Sequence, residues 1–142
     1  MTLHKRKKNS KWMEWLVVLA FVSAFGWYFY LRPPSLKRGE VTNVTFAVEG
    51  VSTNVISGPE CAKIYKALRQ ARPRSDHKCS TVGYITLHYK DGTTETVGIL
   101  PGHDLNRYDL RHRGTCYYLS RKEFFSVLNG AGVDTSKFPE LD

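Results

Sequence analysis

At 142 residues and 16.2 kDa the chain has room for one domain. A hydrophobic fraction of 42% is enough for a packed core, and three cysteines are too few for a disulfide-built mini-protein. The formal charge of +8 raises the question of a nucleic-acid partner, and its distribution argues against one.

Lys5, Arg6, Lys7, Lys8, Lys11 and Arg32 against Glu14 leave +5 on residues 1–32. Fifteen basic against twelve acidic residues leave +3 on residues 33–142, an ordinary balance for a domain that does not bind nucleic acid. The excess belongs to a basic tail, residues 1–11, that precedes an apolar run. Trp15–Leu31 is 17 residues without a charge, about 26 Å as a helix, and starting from Trp12 gives about 30 Å, the thickness of a hydrocarbon core. Trp12 and Trp15 mark one interface and Trp27, Tyr28 and Tyr30 the other, where amphipathic rings favour the headgroup level. Residues 12–32 therefore read as a single transmembrane signal-anchor, with Trp12–Leu31 in the bilayer. The same run fits a signal peptide, with Lys5–Lys11 as the basic region and Val22-Ser23-Ala24 as the cleavage site. Cleavage there would leave an aromatic N-terminus beginning Phe25-Gly26-Trp27 in water, so the uncleaved anchor is preferred. Five basic residues before the span against Arg32, Lys37 and Arg38 after it place the N-terminus in the cytoplasm and the rest outside it, in the periplasm or exterior if the source is a bacterium, or in a lumen if it is a eukaryote. Ala20 and Ala24 form a small-residue pair, a weak motif for a homodimer. Asn43-Val44-Thr45 is a glycosylation sequon that has meaning only in a eukaryotic secretory pathway.

Residues 33–40 read as a short stiff linker opened by Pro33-Pro34. From Val41 the pattern alternates, and Val44, Phe46 and Val48 mark a half-buried strand, with a return strand over Val51–Ser57. Pro59 starts a helix whose Cys61, Ile64, Tyr65 and Leu68 share one face, and Pro73 stops it near Ala71. Residues 72–80 are a polar loop. Tyr84–Tyr89 and Thr93–Leu100 form a hairpin whose Asp91-Gly92 predicts a two-residue turn. A second hairpin joins Tyr108–Leu110 to Thr115–Leu119 near Arg113-Gly114. Ser120 and Glu123 have capping-box spacing ahead of a helix carrying Phe124, Phe125, Val127 and Leu128, with Gly130 as its stop. Residues 131–142 read as a C-terminal tail with Phe138 against the body. The expectation is an α+β fold: a transmembrane helix, then a small antiparallel sheet with two helices, β-β-α-β-β-β-β-α, over residues 41–130.

No motif in this pattern carries a reaction. Cys61, Cys79 and Cys116 have no metal or redox spacing, and any two are candidates for a disulfide in an oxidising compartment, with the pairing open. His77 with Cys79, and His112 with Cys116, match no familiar zinc pattern. A thiol enzyme would need Cys116 as nucleophile, His103 or His112 as base and Asp104 or Asp109 as orienter, groups that sequence alone does not bring together. His88 reads as a solvent-face residue of its strand. The basic residues Arg69, Arg72, Arg74, Arg107, Arg111 and Arg113, with tyrosines interleaved, are candidates for an anion-binding surface. The reading is a non-catalytic, membrane-anchored envelope module that needs no cofactor and binds or scaffolds a membrane or envelope protein. The alternative is a sensor or adaptor for phospholipid headgroups or an acidic polymer, and a further alternative is a secreted domain.

Overall fold

The computed structural model describes residues 8–30, 34–51, 53–76 and 78–140. Lys5–Lys7 and Arg32 of the basic flanks, Pro33 of the linker and the candidate ligand His77 lie outside them. The chain divides into two compact units, Met1–Arg32 and Pro33–Asp142.

The first unit is α1 (Lys8–Tyr30), 23 residues and about 34 Å long. Every large apolar side chain from Trp12 to Tyr28 is more than half exposed, and these side chains ring the helix instead of forming a stripe. Among the described residues no helix is long and apolar enough to cross a membrane. The uncharged run of the sequence reaches past the last described side chain of α1 to Leu31.

The second unit is α+β. Its strands are β1 (Val41–Val48), β2 (Asn54–Ser57), β3 (Arg72–Pro73), β4 (Gly83–Tyr89), β5 (Thr94–Ile99), β6 (Arg107–His112) and β7 (Thr115–Ser120). They form one antiparallel sheet in the order β2-β1-β4-β5-β6-β7-β3. Two helices, α2 (Pro59–Arg69) and α3 (Arg121–Gly130), pack on one face. The alternation expected of half-buried strands places Val44, Phe46 and Val48 of β1 and Ile85, Leu87 and Tyr89 of β4 under those helices. Val97 and Ile99 of β5 and Tyr108 and Leu110 of β6 continue the same layer. From the helices come Cys61, Ile64 and Leu68, then Phe124 and Leu128.

Three features of these elements depart from the sequence expectation, while the second hairpin meets it. The polar loop contains β3, two residues that pair with Tyr117 and Tyr118 of β7. Pro73 is tolerated there because β3 is the edge and an edge strand can lack one donor. The first hairpin turns in three residues: Gly92 N donates to Tyr89 O at 2.9 Å, Tyr89 N donates to Thr93 O at 2.9 Å, and Gly92 holds φ of 82°. Asp-Gly here serves a type I turn with a left-handed third residue. The second hairpin has the two-residue form, with Arg113 at φ 49° and Gly114 at 81°. Gly130 lies within α3; the helix closes on Gly132 at φ 84°, with Val133 N donating to Leu128 O and Gly132 N to Asn129 O, the paired bonds of a Schellman cap.

The segments read as linker and tail are packed. Leu36 is buried, and Lys37 N donates to Glu95 Oε2 at 2.8 Å. At the other end Val133, Thr135 and Phe138 are buried around a 3₁₀ turn (Thr135–Lys137), and Glu140 bridges to Gly102. Phe138 meets the Tyr108 ring at 5.9 Å and Phe125 at 5.5 Å, so the tail closes an aromatic cluster under α3.

Candidate functional site

Polar residues gather in three places, set by strand parity and loop path. On the helix face, at the start of β5, Glu95 shares its side with Val97 and Ile99. Its carboxylate, 8% exposed, accepts from Lys37 N, from Tyr89 Oη at 3.0 Å and from Arg113 Nη2 at 3.0 Å, with His112 Nε2 at 3.1 Å. Burial pushes the Glu95 carboxyl up, but donation from Lys37, Tyr89 and His112 outweighs it and holds the group below its ordinary range. Burial and the neighbouring carboxylate push the Tyr89 phenol well up. Lys37 also bridges to Asp91 and Thr93 and lies over the Tyr89 ring, and its carbonyl accepts from Tyr65 Oη at 2.7 Å. This constellation clips residues 34–40 to the sheet. His112 Nδ1 is buried without a hydrogen-bond partner.

On the opposite face of β5–β7 lie residues 74–76 and 78–82. Arg74 N donates to Cys116 O at one end, and Val82 N to Ile99 O at the other. Gly98 leaves room for them: a Cβ there would stand 3.0 Å from Thr81 Cγ2. Arg74 Nη1 donates to both Asp109 oxygens at 2.8 and 2.6 Å. Cys116 Sγ donates to Asp76 Oδ1 at 3.4 Å, and Arg111 stands 3.9 Å from the same carboxylate. Cys79 Sγ lies 3.1 Å from His103 Nε2.

The third place is a basic groove of about 600 Å³ between the helices and the β7–β3 edge. Gln70, Arg72, Asn106, Arg107, Tyr118 and Glu123 line it. The Arg107 guanidinium lies over the Tyr118 ring at 4.7 Å.

The six candidate arginines thus separate. Arg74 is spent on Asp109, Arg111 on Asp76 and Arg113 on Glu95, while Arg69 stands over the Tyr65 ring at 5.7 Å. Arg72 and Arg107 alone of the six face one groove, and neither has a carboxylate partner among the described residues. The cysteines separate as well. Among the described residues no disulfide joins any two of them. Cys61 is buried against Ile56 O at 3.2 Å, and burial pushes its thiol up.

The Cys116 constellation is not assembled. Cys116 pairs across the ladder with Arg111, so it lies on the face opposite His112, which pairs with Thr115 and turns to Glu95. His103 meets Cys79, and Asp109 meets Arg74. His88 is half-buried rather than simply solvent-facing, with Nε2 3.0 Å from Thr45 Oγ1. Among the described residues no group of three or more His, Cys, Asp or Glu side chains could hold a metal ion. The sequon asparagine, Asn43, sits inside β1, paired with both β2 and β4. Two features escaped the sequence reading. Glu95 was detectable, because its spacing of two and four from Val97 and Ile99 puts it on the buried face. The Cys79–His103 contact joins two loops 24 residues apart and had no sequence signal.

No protein-family model, no curated protein and no solved structure matches this chain.

Proposed function

We propose that the chain is a single-pass membrane-anchored protein, N-terminus cytoplasmic, whose outward α+β domain is a non-catalytic module that binds or scaffolds an envelope protein. The observation that carries the anchor is α1: a helix of 23 residues whose large apolar side chains are exposed on every side. Such a surface is costly in water and favourable in lipid. The tryptophans near its start and the Trp27-Tyr28 pair near its end suit two interfaces, and the basic excess before the helix supports the orientation. Reporters that act on one side of the membrane only, fused after Asp142, test this reading. Signal from an extracytoplasmic reporter, with the chain retained in membranes after alkaline extraction, is the expected outcome. Activity of a cytoplasmic reporter overturns the orientation, and release by alkaline buffer overturns the anchor.

A second reading, binding of an anionic ligand by the domain, is favoured by one observation: Arg72 and Arg107 line a shared groove and neither is ion-paired among the described residues, although Glu123 also lines it. The groove moves the candidate site away from Arg111 and Arg113, which neutralise acids of the fold. Arg107→Glu should weaken binding of the domain to anionic vesicles in a salt-dependent way while leaving its thermal melt within a few degrees. Salt-insensitive binding unaffected by the reversal removes the groove from consideration.

A further inference from the structure

Of the three thiols, only Cys79 combines solvent access with a basic nitrogen. Cys61 and Cys116 are buried, and each donates its proton to oxygen: a carbonyl for Cys61, the Asp76 carboxylate for Cys116. Burial pushes the Cys61 thiol up and disfavours its thiolate. Cys79 is half-buried, His103 is exposed, and the 3.1 Å between Sγ and Nε2 is within reach of proton transfer.

Both residues are held from behind. The Cys79 loop is fixed at its ends by Arg74 N to Cys116 O and Val82 N to Ile99 O. His103 follows Pro101 and Gly102, both buried, and Gly102 N donates to Pro139 O at 3.1 Å. The turn after it is tied by Asn106 N to Asp104 Oδ1 at 2.7 Å. Nucleophile and base thus come from two loops that each have backbone ties of their own to the rest of the domain.

We propose that Cys79 and His103 form a nucleophilic thiol site that accepts a small aliphatic disulfide as a mixed disulfide. The Sγ–H bond breaks as its proton passes to His103 Nε2. The Cys79 thiolate attacks one sulfur of the disulfide, forming a new S–S bond while the old one breaks. The departing thiolate takes the proton from the imidazolium, so His103 returns neutral. One disulfide and one thiol enter, and one of each leave. The site is independent of the anchor and of the basic groove.

The test uses the full chain in detergent with oxidised glutathione, followed by mass spectrometry of the intact protein and its peptides. The expected result is one glutathionyl adduct, on Cys79, formed roughly tenfold or more faster than on an unstructured cysteine peptide at neutral pH, since few free thiols are ionised there. His103→Gln should keep the fold by circular dichroism and slow the adduct by a similar factor. His103→Ala should be slowed likewise and recover with added imidazole, a recovery that a purely structural role for His103 would not produce. An adduct forming equally fast in wild type, His103→Gln and the peptide overturns the proposal. So does a folded His103→Ala that stays slow at any imidazole concentration, or preferential modification of Cys116.

Discussion

The Glu95 carboxylate is under the helices, yet it gathers partners from three separate stretches of chain: Lys37, Tyr89 and the adjacent His112 and Arg113. A buried carboxylate is costly unless its lone pairs are filled, and here they are. Removing the charge leaves donors facing an amide. Glu95→Gln should therefore lower stability by about 2–3 kcal/mol at neutral pH. Because the folded-state value lies below the ordinary one, the unfolded chain binds this proton more readily than the folded chain. The contribution is thus complete above roughly pH 5 and is lost as pH falls through the ordinary and then the folded value. Urea melts from pH 7 to pH 3 check both parts: the wild type should lose stability on acidification more steeply than Glu95→Gln, so the two curves converge at low pH. Parallel curves would show that Glu95 does not govern the acid limb. Residue-scale features were legible where parity decides them, as for Glu95 beside Val97 and Ile99. They were illegible where a loop path decides, as for Cys79 and His103.

At the scale of elements, glycines separate into those that fill no role and those that hold two strands together. Gly83 begins β4 against β1, and a Cβ there would stand 2.7 Å from both Ala47 O and Val48 Cα. Those are backbone atoms and cannot rotate away, so Gly83→Ala should destabilise by about 2 kcal/mol or more, the cost of overpacking, by forcing the β1–β4 pair apart. Gly130 is the opposite case. It lies in α3 with nothing within 4 Å of an added Cβ, and the cap belongs to Gly132. Gly130→Ala should be neutral or stabilising by about 0.5–1 kcal/mol, and Gly132→Ala should be destabilising. Thermal melts of the three variants check the assignment, and a large loss in Gly130→Ala would return the stop to Gly130. The main elements were readable in the sequence because their signals are local: alternation in β1 and β4, Pro59 at the start of α2, Ser120 and Glu123 at the start of α3. Ser120 does cap α3, accepting from Glu123 N at 3.5 Å. What escaped was non-local or too short for a period. β3 is two residues whose identity as a strand comes entirely from β7, and the three-residue first turn depends on how β4 and β5 twist together.

For the whole molecule, the folded body of the second unit begins earlier than composition suggests. Residues 33–40, with two prolines and no apolar periodicity, have the composition of a spacer, yet Leu36 is buried in the core and Lys37 supplies one of the bonds that fill Glu95. The domain's cohesion therefore starts near Pro33, in agreement with the division of the chain into Met1–Arg32 and Pro33–Asp142. Two truncations distinguish a spacer from an integral strap. A chain of residues 33–142 should fold without detergent, because the exposed apolar surface of α1 is gone and the core is intact. A chain of residues 41–142 loses the burial of Leu36, about 1.5–3 kcal/mol, and leaves Glu95 without the Lys37 amide, about 1 kcal/mol more. Its midpoint in urea should fall well below that of residues 33–142, with the deficit partly reproduced in the longer chain by Leu36→Ala. Equal midpoints would mean that residues 33–40 only tether the domain. A large deficit would mean that residues 34–40 are part of the folded body, held to the start of β5 through the Lys37 amide on Glu95.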